Sequence, residues 1–489
     1  MVSKASFVKG VVWSTAGSWS GQIIGFATFA LLAIFLGPKA YGLMAMAMVI
    51  AAVSEVLIVG GLAEALVQRQ RLEPAHIDSV FWLLVGLGAT LAILAQLFAD
   101  GIAAAFGEPL VARMIRWLSV LPLLHALSAV PLALLMRNMR FDLLMLRTIL
   151  GLTLGGAVGI GMALSGFGPW SLVGLQLTQQ GVIVLSLWLT SGWRPHSGVS
   201  LRHLRDLLAF GSQIIGLKLV VLAEQQLIRI VVGAWLGPAA LGFFHMGWRL
   251  IEVLRLSLLV PLANTAMPAF SRMQTDLVQV RTALLGGVRF SALVGLPSYL
   301  GFAAVAPDLI PLLFGEQWAG SVRVTQILAL LGGVWSLTIL YGAAMRGLGR
   351  PMMQLAPQFL GVILLALMLL AFARRGVEAV AWCMLVQALL VLPLTAHLTH
   401  RLTGLRLVTL LRGGLPALGA AVVMTAAVIG WRSAMDGTLN NAALLVSEVA
   451  VGVIVYAACV LVLDRRIARE ILDLAMTAAT RRSATGADS

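Results

Sequence analysis

Long apolar stretches separated by short polar segments form the main pattern along this chain. A transmembrane helix needs about 20 consecutive, predominantly apolar residues, and fourteen stretches meet this requirement. They cover residues 11–36, 41–66, 79–99, 114–136, 143–165, 168–190, 208–236, 240–263, 283–306, 322–345, 352–373, 376–398, 408–430 and 442–463. The pattern therefore predicts an all-α, polytopic membrane protein with about 14 transmembrane helices.

The composition excludes the soluble alternative. Of the 489 residues, 60% are hydrophobic and only 11% are charged, and the mean hydropathy is +0.97. Soluble domains carry about 25% charged residues. A soluble chain this apolar would leave too much hydrocarbon surface in contact with water.

The basic residues are distributed unevenly between the two sides of the predicted membrane protein. A net charge of +14 can mark a nucleic-acid binder. Here 22 of the 34 Lys and Arg residues lie in one alternating set of loops, their adjoining helix ends and the two termini, and 7 lie in the other set of loops and adjoining helix ends. Because cytoplasmic loops are enriched in Lys and Arg, we expect both termini to lie in the cytoplasm and no nucleic-acid partner.

Two segments of the chain repeat one another at an offset of 200 residues. The sequence FLGPKAYG at 35–42 matches WLGPAALG at 235–242, and the Leu-Ala pair at 62–63 recurs at 262–263. These matches predict two repeats of six helices. Since six is even, both repeats have the same orientation, as in transporters whose substrate site lies between parallel halves.

The repeat also sets the predicted domain boundaries, with two transmembrane helices outside it. The first six-helix repeat covers residues 1–206, the second covers 207–400, helices 13 and 14 cover 401–463, and a cytoplasmic tail covers 464–489.

Five basic residues fall inside predicted helices 7 to 9. A charge at the bilayer centre costs about 2.5–3.5 kcal/mol in insertion scales, so these side chains are expected to avoid lipid. At 100° per residue, Lys218, Gln225 and Arg229 share one face of helix 7. On helix 8, Glu252 and Arg255 are three residues apart and can form an ion pair.

The charge balance of these helices favours an anionic ligand. Their five cations exceed Glu224 and Glu252 by a formal charge of +3. We therefore expect a water-filled cavity that binds an anion, and a structural ion-pair network is the alternative. The candidate substrate-binding residues are Lys218, Gln225, Arg229, Arg249, Arg255 and Arg289. The candidate ion-coupling residues are Glu55, Glu224, Glu252 and Glu448, of which we interpret Glu55 in helix 2 and Glu448 in helix 14 as lone acids.

No constellation for catalysis or for a cofactor emerges from the sequence. Cys383 and Cys459 both lie in apolar runs, which indicates neither a disulfide framework nor a metal site. There is no Gly-x-Ser-x-Gly or Walker A motif. We expect no catalytic residue, no metal ligand and no cofactor.

The sequence FALLAIFLGPKAYGLMAMAMVIAAVSEVLIVGGLAEALVQR (Phe29–Arg69) resembles the first helical hairpin of the bacterial polysaccharide transporter family. The turn RGLGRP at 346–351 is similar to one that the family has after helix 10. This family belongs to the multidrug/oligosaccharidyl-lipid/polysaccharide exporter superfamily. The resemblance covers essentially the whole chain and implies a MATE-like fold of two parallel six-helix repeats.

The resemblance also implies a function. Such proteins are flippases that move undecaprenyl-pyrophosphate-linked oligosaccharides from the cytoplasmic to the periplasmic leaflet by alternating access, in exopolysaccharide, capsule or O-antigen synthesis. The expected partners are the lipid-linked glycan, membrane lipids, and a polysaccharide polymerase with its chain-length regulator. The alternatives are a MATE-like exporter of small molecules and a membrane enzyme that polymerises or ligates lipid-linked glycans.

Overall fold

The computed structural model describes residues 4–69, 72–196 and 198–463 of the chain, so the predicted tail at 464–489 lies outside the described residues. Within the described ranges the chain forms helices and no strand. The helices before the second repeat are α1 (Lys4–Phe35), α2 (Pro38–Ala47), α3 (Val49–Ser54), α4 (Leu62–Gln68), α5 (Pro74–Phe106), α6 (Pro109–Leu118), α7 (Leu121–Arg137), α8 (Phe141–Leu164) and α9 (Trp170–Thr190).

The remaining helices are longer on average. They are α10 (Leu201–Leu254), α11 (Val260–Arg272), α12 (Leu277–Phe314), α13 (Val322–Gly347), α14 (Leu355–Phe372), α15 (Val377–Thr403), α16 (Leu407–Met435) and α17 (Asn441–Leu463). Short 3-10 turns cover Glu316–Ser321, Pro351–Gln354 and Ala373–Arg375.

Twelve stretches of the described residues are long and apolar enough to cross a membrane. One of them, Lys218–Arg272, contains most of predicted helix 7 and all of predicted helix 8. The first predicted helix corresponds to α1, whose apolar part is Trp19–Phe35. The chain is therefore a multi-pass membrane protein, and the predicted all-α class with about 14 transmembrane helices is confirmed.

Gly237 divides α10 into the two predicted helices. Its φ of +81° and ψ of 177° are not helical, and glycine adopts positive φ without the clash that a Cβ causes. Pro238 follows and lacks the N–H that a continuous helix would need. The Gly-Pro pair thus produces the break expected between predicted helices 7 (208–236) and 8 (240–263).

The two copies of the repeat motif pack against each other reciprocally. A Cβ added at Gly42 would overlap the carbonyl oxygen of Pro238, and a Cβ added at Gly242 would overlap that of Pro38. Each glycine is 200 residues from its counterpart. A contact in which each partner repeats the other's role is what a two-fold relationship produces, so these glycines allow the closest approach of the two motifs.

The helices form two compact units. The first comprises Met1–Met246, Leu313–Gly320 and Gln358–Cys383. In this unit Trp318 is fully buried, and its indole N–H donates to the carbonyl of Ala33 at 2.8 Å.

The second unit comprises Gly247–Leu312, Ser321–Pro357 and Met384–Ser489. Its core includes the fully buried Tyr341 and the buried Phe270. The boundaries 1–206, 207–400 and 401–463 of the sequence repeats stay predictions.

Two π-helical segments interrupt the apolar helices at matching places. One covers Glu55–Val59 and the other covers Arg255–Leu259, again 200 residues apart. The wider turn shifts the face on which later residues lie, and single π-helical turns occur frequently at functional sites. The hydropathy pattern did not predict either segment.

Candidate functional site

Lys218 forms an ion pair with Glu64 in the first compact unit. Lys218 Nζ donates to Glu64 Oε1, and both side chains are partly exposed, at 39% and 44%. The lysine stem crosses Gly60, where an added Cβ would lie 2.8 Å from Lys218 Cδ. The glycine between the π-helical segment and α4 therefore provides the space through which the cation reaches its carboxylate.

Glu55 is the second acid that faces the cations of α10. Its charge interacts with those of Lys218 and Arg229. The interpretation of Glu55 as a lone acid was wrong, because Glu64 lies in the same predicted helix. The interaction with α10 could not be predicted, since the geometry of one helix does not show which neighbouring helix packs against it. Ser54, just before it, bonds His125 Nδ1 at 3.0 Å and fixes the adjacent turn.

The amides of α10 are arranged differently from the cations. Gln225, which the helical wheel placed with Lys218 and Arg229, is exposed, and Glu224 is half-buried. Gln226 is only 6% exposed, and neither its Oε1 nor its Nε2 has a hydrogen-bond partner. A buried amide with unsatisfied donors and acceptors is a group that a hydroxyl-rich ligand can satisfy.

These contacts reduce the positive surplus inferred from helices 7 to 9. When Glu55 and Glu64 are counted with those helices, the formal balance falls from +3 to +1. Lys218 and Arg229 therefore sit among carboxylates. An anionic ligand that uses these cations has to compete with Glu55 and Glu64.

The second compact unit holds the predicted ion pair of helix 8. Arg255 donates from Nε and Nη2 to the two carboxylate oxygens of Glu252, both at 2.7 Å. Its guanidinium carbon also lies 5.8 Å from the ring centroid of Trp335, a cation–π contact. Trp248 meets Trp335 edge-on, with ring centroids 5.8 Å apart. The aromatic pair holds the guanidinium in one orientation.

The other two predicted cations of this unit differ in their surroundings. Arg249 is half-buried, six residues before Arg255, and it has interactions of its own. Arg289 is exposed and lies over Gly413 of α16, where an added Cβ would be 3.2 Å from Arg289 Cγ.

Glu448 belongs to a cluster of two acids and one base in the second unit. It is fully buried, and its carboxyl group lies against that of Asp308. Asp308 on α12 interacts with it, as does Arg432 on α16, and Arg432 Nε lies 2.9 Å from Asp308 Oδ2. The description of Glu448 as a lone acid was therefore wrong.

This cluster is suited to holding one proton. Two ionised carboxylates against one guanidinium would leave an uncompensated negative charge in a buried place, which is expensive. If one carboxyl keeps its proton, the cluster is neutral. Glu448 therefore remains a candidate ion-coupling residue, and Asp308 becomes a second candidate.

Sequence reasoning missed Glu64, Asp308, Arg432 and Trp335. Asp308 and Arg432 lie two residues beyond the predicted ends of helices 9 and 13, so they were assigned to loops. Glu64 was inside predicted helix 2 and carried the same signal as Glu55, an acid in an apolar stretch.

The chain as a whole matches known proteins. A model of the polysaccharide biosynthesis protein family matches residues 31–323, which is more than half of the chain. This chain belongs to that family. The resemblance stated from the hairpin and turn sequences is thereby confirmed.

Two curated relatives and one solved structure define the likeness further. The succinoglycan biosynthesis transport protein ExoT of Rhizobium meliloti (strain 1021) is 25% identical over 99% of both chains. The lipopolysaccharide biosynthesis protein WzxC of Escherichia coli (strain K12) is 22% identical over 66% of both chains. The fold resembles that of lipid II flippase MurJ in an inward closed conformation, with a TM-score of 0.78 at 12% identity, covering 94% of this chain and 100% of that one.

Proposed function

We propose that this protein is a flippase for lipid-linked oligosaccharides. The observation that carries the proposal is the end-to-end similarity to a succinoglycan transport protein, which covers 99% of both chains. The fold similarity to a lipid II flippase supports it. The protein acts as a transporter and makes or breaks no covalent bond in the glycan.

The substrate is an undecaprenyl-pyrophosphate-linked repeat unit. It moves from the cytoplasmic to the periplasmic leaflet of the inner membrane, for exopolysaccharide, capsule or O-antigen synthesis. The excess of Lys and Arg in one set of loops supports cytoplasmic termini. A polysaccharide polymerase and its chain-length regulator use the glycan after it has crossed.

The pyrophosphate binds by replacing carboxylates as the partners of the cations. In the first unit, Lys218 and Arg229 face Glu64 and Glu55. A phosphate offers them a stronger, charge-assisted set of acceptors. A carboxylate that loses its cation is stabilised when it takes up a proton. Substrate binding therefore favours proton binding, and proton binding favours substrate binding to the same extent.

In the second unit, Arg249, Arg255 and Arg289 are the proposed phosphate ligands, and Glu252 competes for Arg255. Gln225 and the buried Gln226 supply hydrogen bonds to sugar hydroxyls. The proposed coupling groups are Glu55, Glu224, Glu252 and Glu448. Alternating access then delivers the bound headgroup to the other side while the lipid tail stays in the bilayer.

A leaflet-transfer assay tests this function. The purified full chain is reconstituted into vesicles with a fluorescent undecaprenyl-pyrophosphate oligosaccharide, and the fraction accessible from outside is followed with time. We expect transfer without any change in the mass of the glycan. Joined glycans would identify a polymerase or ligase, and absence of transfer together with efflux of small cations would identify an exporter.

Paired charge variants test the proposed ligands. The double variants Arg249→Glu/Arg255→Glu and Arg249→Gln/Arg255→Gln should both lose transfer by at least tenfold while still inserting into the membrane. Arg323→Glu is the matched control, since Arg323 is an exposed arginine of the same unit. Full transfer in both double variants would refute the ligand assignment and leave the flippase function standing.

A further inference from the structure

We propose that Glu73, His76 and His203 form a binding site for a divalent transition-metal ion, with Zn²⁺ as the best match. Each residue offers one ligand atom, and the three atoms lie within 4.8 Å of one another. Two imidazoles and one carboxylate form a common ligand set for zinc, which leaves a fourth position for water. No metal ligand was predicted from the sequence, because Glu73 and His203 are 130 residues apart in the chain.

The spacing of the ligand atoms is close to what a metal ion needs. His203 Nε2 lies 3.2 Å from Glu73 Oε2. Two ligands at tetrahedral positions 2.0–2.2 Å from zinc are about 3.4 Å apart. The rings of His76 and His203 meet edge-on, with centroids 4.4 Å apart. Side-chain rotations that bring the three ligand atoms from at most 4.8 Å to about 3.4 Å apart would place them around one ion.

The second contacts of the two histidines are compatible with metal binding. His203 Nδ1 lies 2.6 Å from Ser200 Oγ. A hydrogen bond from Nδ1–H to this oxygen leaves the Nε2 lone pair directed at Glu73, in the way that outer partners orient ligating histidines. His76 Nδ1 accepts a hydrogen bond from the backbone N–H of Glu73 at 3.3 Å, long for a hydrogen bond. A metal ion bound at His76 Nε2 replaces this bond, because the ring proton then moves to Nδ1.

The exposure of the three residues gives the site one open side. His76 is 2% exposed, whereas the side chain of Glu73 is 68% exposed and that of His203 is 23% exposed. A metal ion can enter from the Glu73 side and reach a buried imidazole.

The fold brings these residues together without the help of a metal. The segment that joins α9 to α10 runs along the first turns of α5. The Ser200 backbone N–H donates to Ser79 Oγ at 2.8 Å, and Trp82 Nε1 donates to the His196 carbonyl at 3.0 Å. A site whose ligands are already positioned loses less entropy when it binds.

A bound metal ion would fasten the first turn of α10 to the start of α5. α10 is the helix that carries Lys218 and Arg229, so the ion would stabilise its anchoring. The binding itself is independent of the proposed flippase function. The alternative interpretation is an ion pair between His203 and Glu73 without a metal ion.

The test uses the full chain in detergent, purified on a tag without histidine and stripped of metal with a chelator. Zn²⁺ is titrated in competition with a chromophoric chelator, and Co²⁺ is added separately to record its visible absorption. We expect one equivalent of Zn²⁺ and a Co²⁺ spectrum of low coordination number. His203→Ala and Glu73→Gln should each weaken Zn²⁺ binding at least tenfold, in line with losses at metal sites.

His196→Ala is the matched control, because His196 is an exposed histidine of the same segment. Its carbonyl accepts from Trp82 Nε1 and its backbone N–H donates to Asp78 Oδ1, and alanine keeps both bonds. Its ring lies 3.8 Å from Asp78 Oδ2 and forms no hydrogen bond or ion pair with the three proposed ligands in the described structure. Its Zn²⁺ affinity should equal that of the wild type. Zn²⁺ should also raise the Tm of the wild type and leave that of His203→Ala unchanged. The proposal would be overturned if His203→Ala bound Zn²⁺ as tightly as the wild type. It would also be overturned, in favour of the ion pair, if the Tm of His203→Ala lay below that of the wild type by the same amount with and without Zn²⁺.

Discussion

Glu55 and Arg255 are 200 residues apart, and each is the first residue of a π-helical segment. They occupy equivalent positions of the two sequence repeats and carry opposite charges. Glu55 interacts with cations of α10 in the first unit, and Arg255 pairs with Glu252 in the second. The repeats have thus kept the backbone irregularity and reversed the charge that it presents.

The interaction between Glu55 and Arg229 can be measured as a coupling energy. We expect Glu55→Gln and Arg229→Gln each to lower the Tm and the leaflet-transfer rate, because each leaves the other charge unmatched. The double variant should be no less stable than the worse single variant. A double-mutant cycle should give a coupling energy of about 1 kcal/mol. The value is small because Glu55 is exposed to solvent, which screens the interaction. Glu378→Gln, an exposed acid of α15, is the control, and additive single effects would contradict the contact.

The ion pair of Lys218 with Glu64 predicts the outcome of a charge swap. Glu64→Lys and Lys218→Glu should each lose transfer by about tenfold, because each places two like charges together. The combined variant should recover at least half of the wild-type rate, since the pair is restored in reverse. Transfer rates of the three variants in vesicles measure this. No recovery in the swap would show that Lys218 or Glu64 acts through another group.

The reciprocal glycine contact predicts two equivalent stability losses. Gly42→Ala and Gly242→Ala should each destabilise the protein by about 1–3 kcal/mol, the usual cost of overpacking, because the new methyl group meets a backbone carbonyl. Gly86→Ala is the control, since nothing lies within 4 Å of a Cβ there. Its stability should be unchanged or higher, as alanine favours helix. Thermal unfolding in detergent distinguishes these outcomes.

The cluster of Asp308, Arg432 and Glu448 predicts unequal effects of two neutralising changes. Arg432→Gln should lower stability by about 2–3 kcal/mol, because it leaves two acids without their cation. Glu448→Gln should keep the Tm, because the neutral amide can replace a protonated carboxyl beside Asp308. If the cluster couples to protons, Glu448→Gln should transfer substrate at a rate that an imposed pH gradient no longer changes. Equal destabilisation by both changes would argue against a protonated pair.

Much of the fold could be predicted from the sequence because hydropathy is a property of single segments. The apolar stretches located the helices, and Gly237 with Pro238 marked the break between helices 7 and 8. The pair Glu252–Arg255 was also predictable, since both residues lie on one helix, where spacing alone sets their distance.

The partners of Glu55, Glu448 and Lys218 could not be predicted in the same way. A helical wheel shows which face of its own helix a residue occupies, and it contains nothing about the helix that packs there. Beyond a π-helical turn, such as the one that starts at Arg255, the assumed 100° per residue also fails.

The sequence by itself determined that this chain crosses the membrane many times, repeats itself at an offset of 200 residues and belongs with polysaccharide transporters. These properties follow from local hydrophobicity and from motifs, which need no neighbours. Only the tertiary structure decided that Glu64 faces Lys218, that Asp308 joins Glu448, and that His203 reaches Glu73 and His76. The physical reason is that charge pairing and metal coordination depend on distances of a few ångströms between segments far apart in the chain, and packing alone sets those distances.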